Sequence, residues 1–288
     1  MTAPETLQAS ATGVEIVARA VTALFVPGDR PERFAKAAAA GADVVLIDLE
    51  DAVAGEEKPL ALASAVDALA RGGLRALVRV NPVGSATYEA EVKALLALAD
   101  LQHHGLLGLV VPKAEQAEAL AVLRAALPAD LALVPLIESA LGVVRAQELA
   151  LLPGITRLAF GAIDFALDIN ADSGDRFLDH ARSNLVLASR AGGIAAPLDS
   201  PSIEIRDAGR VAESARLARN FGFGGKLCIH PAQVPIVSTE FQPTEADIEW
   251  ARLVIGAEGG AAQVEGQMID RPVTERAKRI LEQARKGA

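Results

Sequence analysis

At 288 residues the chain is long enough for one large domain with a substantial core. Hydrophobic residues make up 51% and aromatic ones only 3%, so the core must be aliphatic. A formal net charge of -9 argues against a general nucleic-acid binder, which needs a basic face, and the single cysteine, Cys228, excludes an intrachain disulfide.

In chain order, residues 1–21 carry early acidic residues and no continuous apolar run, so neither a secretory signal nor a membrane span is expected, only a flexible extension. The single thiol suits a reducing cytoplasm. Eight short apolar runs then recur: Ala23–Pro27, Asp43–Leu49, Arg75–Asn81, Leu106–Pro112, Ala132–Ile137, Arg157–Ile163, Ile194–Leu198 and Lys226–His230. Most are rich in Val, Ile or Leu without polar alternation, as parallel strands buried on both faces require. Between them lie Ala-, Leu- and Glu-rich segments of helical period, such as Pro31–Ala40, Lys58–Ala70 and Tyr88–Ala99. A doubly wound open sheet would also alternate, but eight strands predict an α/β fold of the (β/α)8 TIM barrel type over residues 22–240.

The pattern changes after the eighth strand. Thr244 followed by Asp247 predicts a capping-box start to a helix reaching about Ala257. A glycine-rich stretch from Gly256 to Gly266 follows, then Met268-Ile269-Asp270-Arg271-Pro272 and a last helix from Val273. Residues 241–288 thus read as a C-terminal helical arm or lid hinged on the glycines.

Barrel enzymes carry their chemistry at the C-terminal ends of the strands. Here those ends hold Asp29 and Arg30, Asp48 with Glu50 and Asp51, Arg79 with Asn81, Lys113, Glu138, Asp164, Asp199 and His230. Glu138 and Asp164 fall on neighbouring strands five and six. Two converging carboxylates repel unless a proton or cation lies between them, and an all-oxygen donor set suits Mg²⁺. No zinc-spaced His or Cys cluster competes. Arg79 presents a planar fork to a carboxylate or enolate oxygen, while Asp48, Glu50 and Asp51 are its possible ion-pair partners. Arg30, Arg33 and Lys36 gather at the start of the first helix, where a phosphorylated ligand or simply solvent would suit them. Lys113 at its strand end also admits a Schiff-base aldolase. There is no Walker loop, no GxGxxG after a strand and no GxSxG elbow, and Cys228 reads as a buried structural thiol.

Six motifs in order, Leu24–Gly28, Asp48–Val53, Arg79–Pro82, Ile137–Ala140, Gly161–Phe165 and Met268–Asp270, resemble the citrate lyase β-subunit and malyl-CoA lyase family of CoA-ester lyases over about residues 22–281. The resemblance implies a barrel assembled as trimers or hexamers that binds Mg²⁺ and a CoA thioester. It also implies cleavage of a 3-hydroxyacyl thioester to acetyl-CoA, or a homologue, and a 2-keto acid. By the same resemblance Glu138 and Asp164 are the metal ligands, Arg79 grips the substrate, and Asp270 acts as acid/base across a subunit boundary. Glu50, Asp51, Asn81 and Lys113, with Arg30, Arg33 and Lys36, complete the candidate substrate and CoA contacts. A CoA-independent pyruvate-type aldolase, a malyl-CoA thioesterase and a non-catalytic subunit of a larger lyase are the competing expectations.

Overall fold

The computed structural model describes residues 11–171, 175–257, 263–264 and 267–287. It divides into two compact units, residues 1–237 and 238–288. The first unit opens with helix α1 (Gly13–Arg19), capped by a reciprocal box between Thr12 and Glu15. Strand β1 (Thr22–Pro27), helix α2 (Phe34–Ala38), β2 (Val44–Asp48), α3 (Lys58–Ala70), β3 (Ala76–Arg79), α4 (Tyr88–Ala99), β4 (Leu106–Val111), α5 (Ala117–Ala126), β5 (Ala132–Ile137) and α6 (Ala140–Ala150) follow. Next come β6 (Arg157–Phe160), α7 (Ala162–Asp168), α8 (Asp175–Gly192), β7 (Ala195–Asp199), α9 (Ala208–Phe221), β8 (Gly225–Cys228) and α10 (Gln233–Phe241). The eight strands pair in parallel, each with the next, and β8 closes on β1, so the sheet is the predicted closed barrel.

The barrel interior is aliphatic, as the composition requires. Ala23, Val44, Leu46, Leu77, Val110, Val134, Leu136, Leu198 and Leu227 are among those that meet inside it, each at most 3% exposed. The floor is closed by α1, whose Val17 is 1% exposed in the same cluster. Gly13 is required there, because a Cβ at that position would lie 2.1 Å from the Leu107 carbonyl oxygen. The fully buried Arg157 ties the plug down. Its Nη1 donates to the carbonyls of Val17 and Ala20 at 2.9 and 2.7 Å, and its Nε to that of Ala196 at 3.0 Å. Burial draws this guanidinium down to about 9, with Asp43 opposing. From Gly13 onward, then, the N-terminal segment is a packed element rather than a flexible extension.

Two further expectations change locally. The first helix, expected over Pro31–Ala40, is a 3₁₀ turn at Pro31–Arg33 followed by the five-residue α2. Strand six, expected to run to Ile163, stops at Phe160, and the chain turns at Gly161 into α7. Asp164 therefore stands in the first turn of a helix, not at a strand end.

In the second unit, α11 (Glu245–Gly256) starts with the expected box, in which Thr244 Oγ1 accepts from the Asp247 amide at 3.0 Å and Asp247 Oδ2 from the Thr244 amide at 3.0 Å. A short antiparallel pair, β9 (Gln263–Val264) with β10 (Gln267–Met268), precedes α12 (Arg271–Gly287). Ala251, Val254 and Ala277 form the small core between α11 and α12. Most of the glycine-rich stretch expected to act as a hinge lies outside the described residues.

Candidate active site

At the C-terminal end of the barrel, β3 delivers Arg79 into a dense set of acids. Its Nε and Nη2 donate to the two Asp48 carboxylate oxygens at 2.7 Å each, a fork-to-fork pair. Its Nη1 lies 2.8 Å from Glu50 Oε2 and 3.4 Å from Asp51 Oδ2. The Glu50 contact is an ion pair off the N–H axis, and it leaves Glu50 Oε2 buried without a hydrogen bond. Below the guanidinium, the Phe25 ring centroid is 4.9 Å from Cζ. Burial works against the charge on Arg79, but the Asp48 hydrogen bonds and the charges of Asp48, Glu50 and Asp51 outweigh it and raise the pKa above its ordinary value. Asp48 does double duty: its oxygens also accept from the amides of Glu50 at 2.9 Å and Ala52 at 3.1 Å, which folds the loop after β2 around Arg79.

Lys113, just past β4, has a φ of 47°, a left-handed backbone that a lysine rarely adopts. That turn points its amide at Glu138 Oε1, 2.8 Å away, and its ammonium at Glu50 Oε1, 3.0 Å away. Burial would lower the lysine pKa, yet the Glu50 hydrogen bond and charge raise it instead. A Schiff-base lysine needs the opposite shift, so the geometry does not favour that alternative.

Glu138 follows β5 and is 3% exposed. Burial, then the like charge of Glu50, push its carboxyl up to about 8; the Lys113 amide opposes this and Asp164 adds to it. Gly161 makes room for it, since a Cβ there would lie 2.5 Å from Glu138 Oε2. Asp164 comes from α7, whose N-cap Gly161 has no side chain to offer. Ser200, just past the neighbouring strand β7, supplies that cap: its Oγ accepts from the Ala162 amide at 3.1 Å. Nothing in the sequence signals this role, because Asp199-Ser200-Pro201 reads only as a strand end.

These side chains surround a cavity of about 390 Å³ lined by Asp48, Asp51, Arg79, Glu138, Asp164 and Ser200 on its polar side and by Phe25, Leu136, Leu227 and Ile229 on its apolar side. Other predicted residues fall elsewhere. Asn81 does not line the cavity: it is 4% exposed and its amide is fully committed, donating to Leu49 O at 2.8 Å and Glu91 Oε1 at 2.6 Å and accepting from Lys58 Nζ at 2.6 Å. A substrate contact for Asn81 is thereby corrected to a role in bracing the loop after β2. Asp199 is also turned away, held by Lys226 Nζ at 2.8 Å and Arg182 at 3.4 Å. Arg30, Arg33 and Lys36 are exposed, outside the cavity lining, and the five-residue α2 is too short to add a helix dipole to them. Asp270 lies in the second unit, exposed, where its Oδ1 caps α12 by accepting from the Val273 amide at 3.1 Å.

The profile of the HpcH/HpaI aldolase/citrate lyase family matches residues 21–231, the whole barrel. The chain belongs to that family. It is 38% identical over 271 residues, covering 91% of this chain and 94% of the relative, to the citrate lyase subunit beta-like protein of Mycobacterium tuberculosis H37Rv. A (3S)-malyl-CoA thioesterase of Cereibacter sphaeroides is 32% identical over 260 residues, covering 86% of this chain and 88% of that one. Among solved structures, the M. tuberculosis CitE protein in complex with magnesium, acetoacetate and coenzyme A superposes with a TM-score of 0.80 at 36% identity, over 93% of this chain and 98% of that chain. Structures of CitE from M. tuberculosis also hold magnesium with pyruvate or with oxaloacetate. The resemblance read from the six motifs is thus a family membership.

Proposed function

We propose that this chain is a Mg²⁺-dependent lyase that cleaves, and in reverse forms, the carbon–carbon bond of a 3-hydroxyacyl-CoA thioester, giving acetyl-CoA or a homologue and a 2-keto acid. The lyase class follows from the family. The observation that carries the metal is that Glu138, 3% exposed, and Asp164 line one cavity, where burial and the charges of Glu50 and Asp164 push the Glu138 carboxyl up to about 8. Such a site is unfavourable bare and relaxes around a cation, and hard oxygen donors with room for substrate oxygens suit Mg²⁺. Glu138 and Asp164 would hold it, and when bound it supplies Lewis-acid polarisation of the keto-acid oxygens.

The remaining steps fall to the chain's own groups. Arg79 keeps its full charge at the cavity wall, held rigid by Asp48, and offsets the negative charge that develops on the thioester oxygen. Lys113 and Glu50 fix Glu138 and Arg79 from behind. Asp270 takes or returns the proton at the methyl carbon of the acetyl group, across a subunit boundary in a homotrimer or hexamer. Arg30, Arg33 and Lys36 bind the phosphates of CoA, and Asp51 borders the acyl end. A cytoplasmic setting accords with the single thiol, and no helix among the described residues is long and apolar enough to cross a membrane.

Calorimetric titration of the Mg²⁺-loaded protein with acetyl-CoA and, separately, with pyruvate tests this reading. Binding of both supports it. Binding of pyruvate without acetyl-CoA would leave a CoA-independent aldolase on the same barrel.

A further inference from the structure

A groove of about 610 Å³ runs between α4 and α5 on the outer wall of the barrel and shares no residue with the catalytic cavity. Its surface is mostly apolar, with Val92, Leu96 and Ala97 from α4 facing Ala119, Val122 and Ala126 from α5. Val122 is 73% exposed. The outward face of a barrel helix is normally polar, and α9 obeys that rule with Arg210, Glu213 and Arg216 exposed along it. Large apolar side chains left in the open beside a groove mark a contact surface instead.

The charges in the groove are Glu89, Lys93 and Asp100, all exposed and all from α4 or its C-cap. Lys93 and Asp100 stand two helical turns apart on one side of α4, and Leu96 and Ala97 flank the midpoint between them. A second α4 laid antiparallel, about a two-fold axis at that midpoint, sets Lys93 of each copy on Asp100 of the other. The same operation brings Leu96 of one copy against Ala97 of the other, a large side chain on a small one. It also brings Val92 against Leu101, which is 48% exposed. A parallel alignment in register would instead put Lys93 on Lys93 and Asp100 on Asp100. From this self-complementary stripe we infer that a second copy of the chain fills the groove, in an isologous two-fold interface centred on an antiparallel pair of α4 helices. Burial of the apolar stripe supplies the affinity, and the two crossed ion pairs fix the direction. The inference does not rest on the lyase reading, but it decides between the two assemblies which that reading allows. A two-fold contact added to a three-fold one gives six copies, whereas a trimer leaves the groove open.

Sedimentation equilibrium of the full chain counts the copies. An even number is expected; an odd number, a monomer that keeps this face for some other protein included, overturns the inference. Ala97→Glu sets a carboxylate against Leu96 once in each copy and should halve the mass at a fixed concentration. Lys93→Glu and Asp100→Lys each bring like charges face to face and should weaken association by about tenfold or more. The double variant Lys93→Glu with Asp100→Lys restores opposite pairs and should recover the wild-type mass. A mass unchanged in Ala97→Glu, or in both charge reversals, overturns the inference. So does a double variant that stays dissociated like its parents, because the antiparallel register requires the rescue. All three positions are exposed, so the variants should keep the circular-dichroism spectrum of the folded chain, and the wild-type count stands independently of them.

Discussion

Glu138 brings together burial and like charge at one carboxyl whose ordinary pKa of 4.5 rises to about 8 in the folded protein. A carboxyl raised in this way binds its proton more tightly folded than unfolded. Metal-free protein should therefore lose stability as pH rises from about 4.5 to about 8, and Mg²⁺ should reverse the loss. Below pH 8 the cation must displace that proton. Mg²⁺ affinity measured by calorimetry should weaken as pH falls from 8 to 6, and an affinity constant over that range would contradict the account. Gly161→Ala provides a geometric test, since its Cβ would lie 2.5 Å from Glu138 Oε2. It should weaken Mg²⁺ binding by at least about tenfold with little change in CoA affinity. Arg79→Lys keeps the charge but loses the fork on Asp48, and kcat should fall by about 10²-fold in steady-state assays. At this scale the sequence placed the right residue types at the right rim. It could not tell which of them face inward: Arg79 ends β3 and Asn81 follows two positions on, yet the first lines the cavity and the second braces a loop. Direction at a strand end is set by partners far along the chain, such as Glu91 for Asn81.

At the scale of elements, the barrel was legible because buried parallel strands have a plain signature, and the strand read at Ala132–Ile137 is β5 residue for residue. The helices at Lys58–Ala70 and Tyr88–Ala99 were equally legible from their period. The end of β6 was not, because the apolar residues Ala162 and Ile163 continue the strand pattern while Gly161 allows the turn. Nor was the α1 plug, whose helix is only seven residues long and gains its hold from Arg157, a residue 140 positions from Val17. Arg157→Met removes those hydrogen bonds and strands the carbonyls of Val17 and Ala20. Urea denaturation should show a loss of about 2–4 kcal/mol. A loss below about 0.5 kcal/mol would mean that α1 is not held as described.

For the molecule as a whole, the barrel offers rigid strands that bring Arg79 and Glu138 together and a short helix that adds Asp164, while the second unit carries Asp270 at the start of α12. The proposed function divides the labour, with metal and substrate assigned to the barrel and the proton to Asp270 of the helical unit. Asp270→Asn should leave Mg²⁺ and acetyl-CoA affinities within about twofold while lowering kcat by at least about 10²-fold. The most direct measurement is the product balance when malyl-CoA or citramalyl-CoA is the substrate. The account predicts acetyl-CoA and 2-keto acid in equal amounts, abolished by EDTA, restored by Mg²⁺ and lost in Glu138→Gln. Free CoA released without keto acid, or turnover indifferent to EDTA, would contradict it.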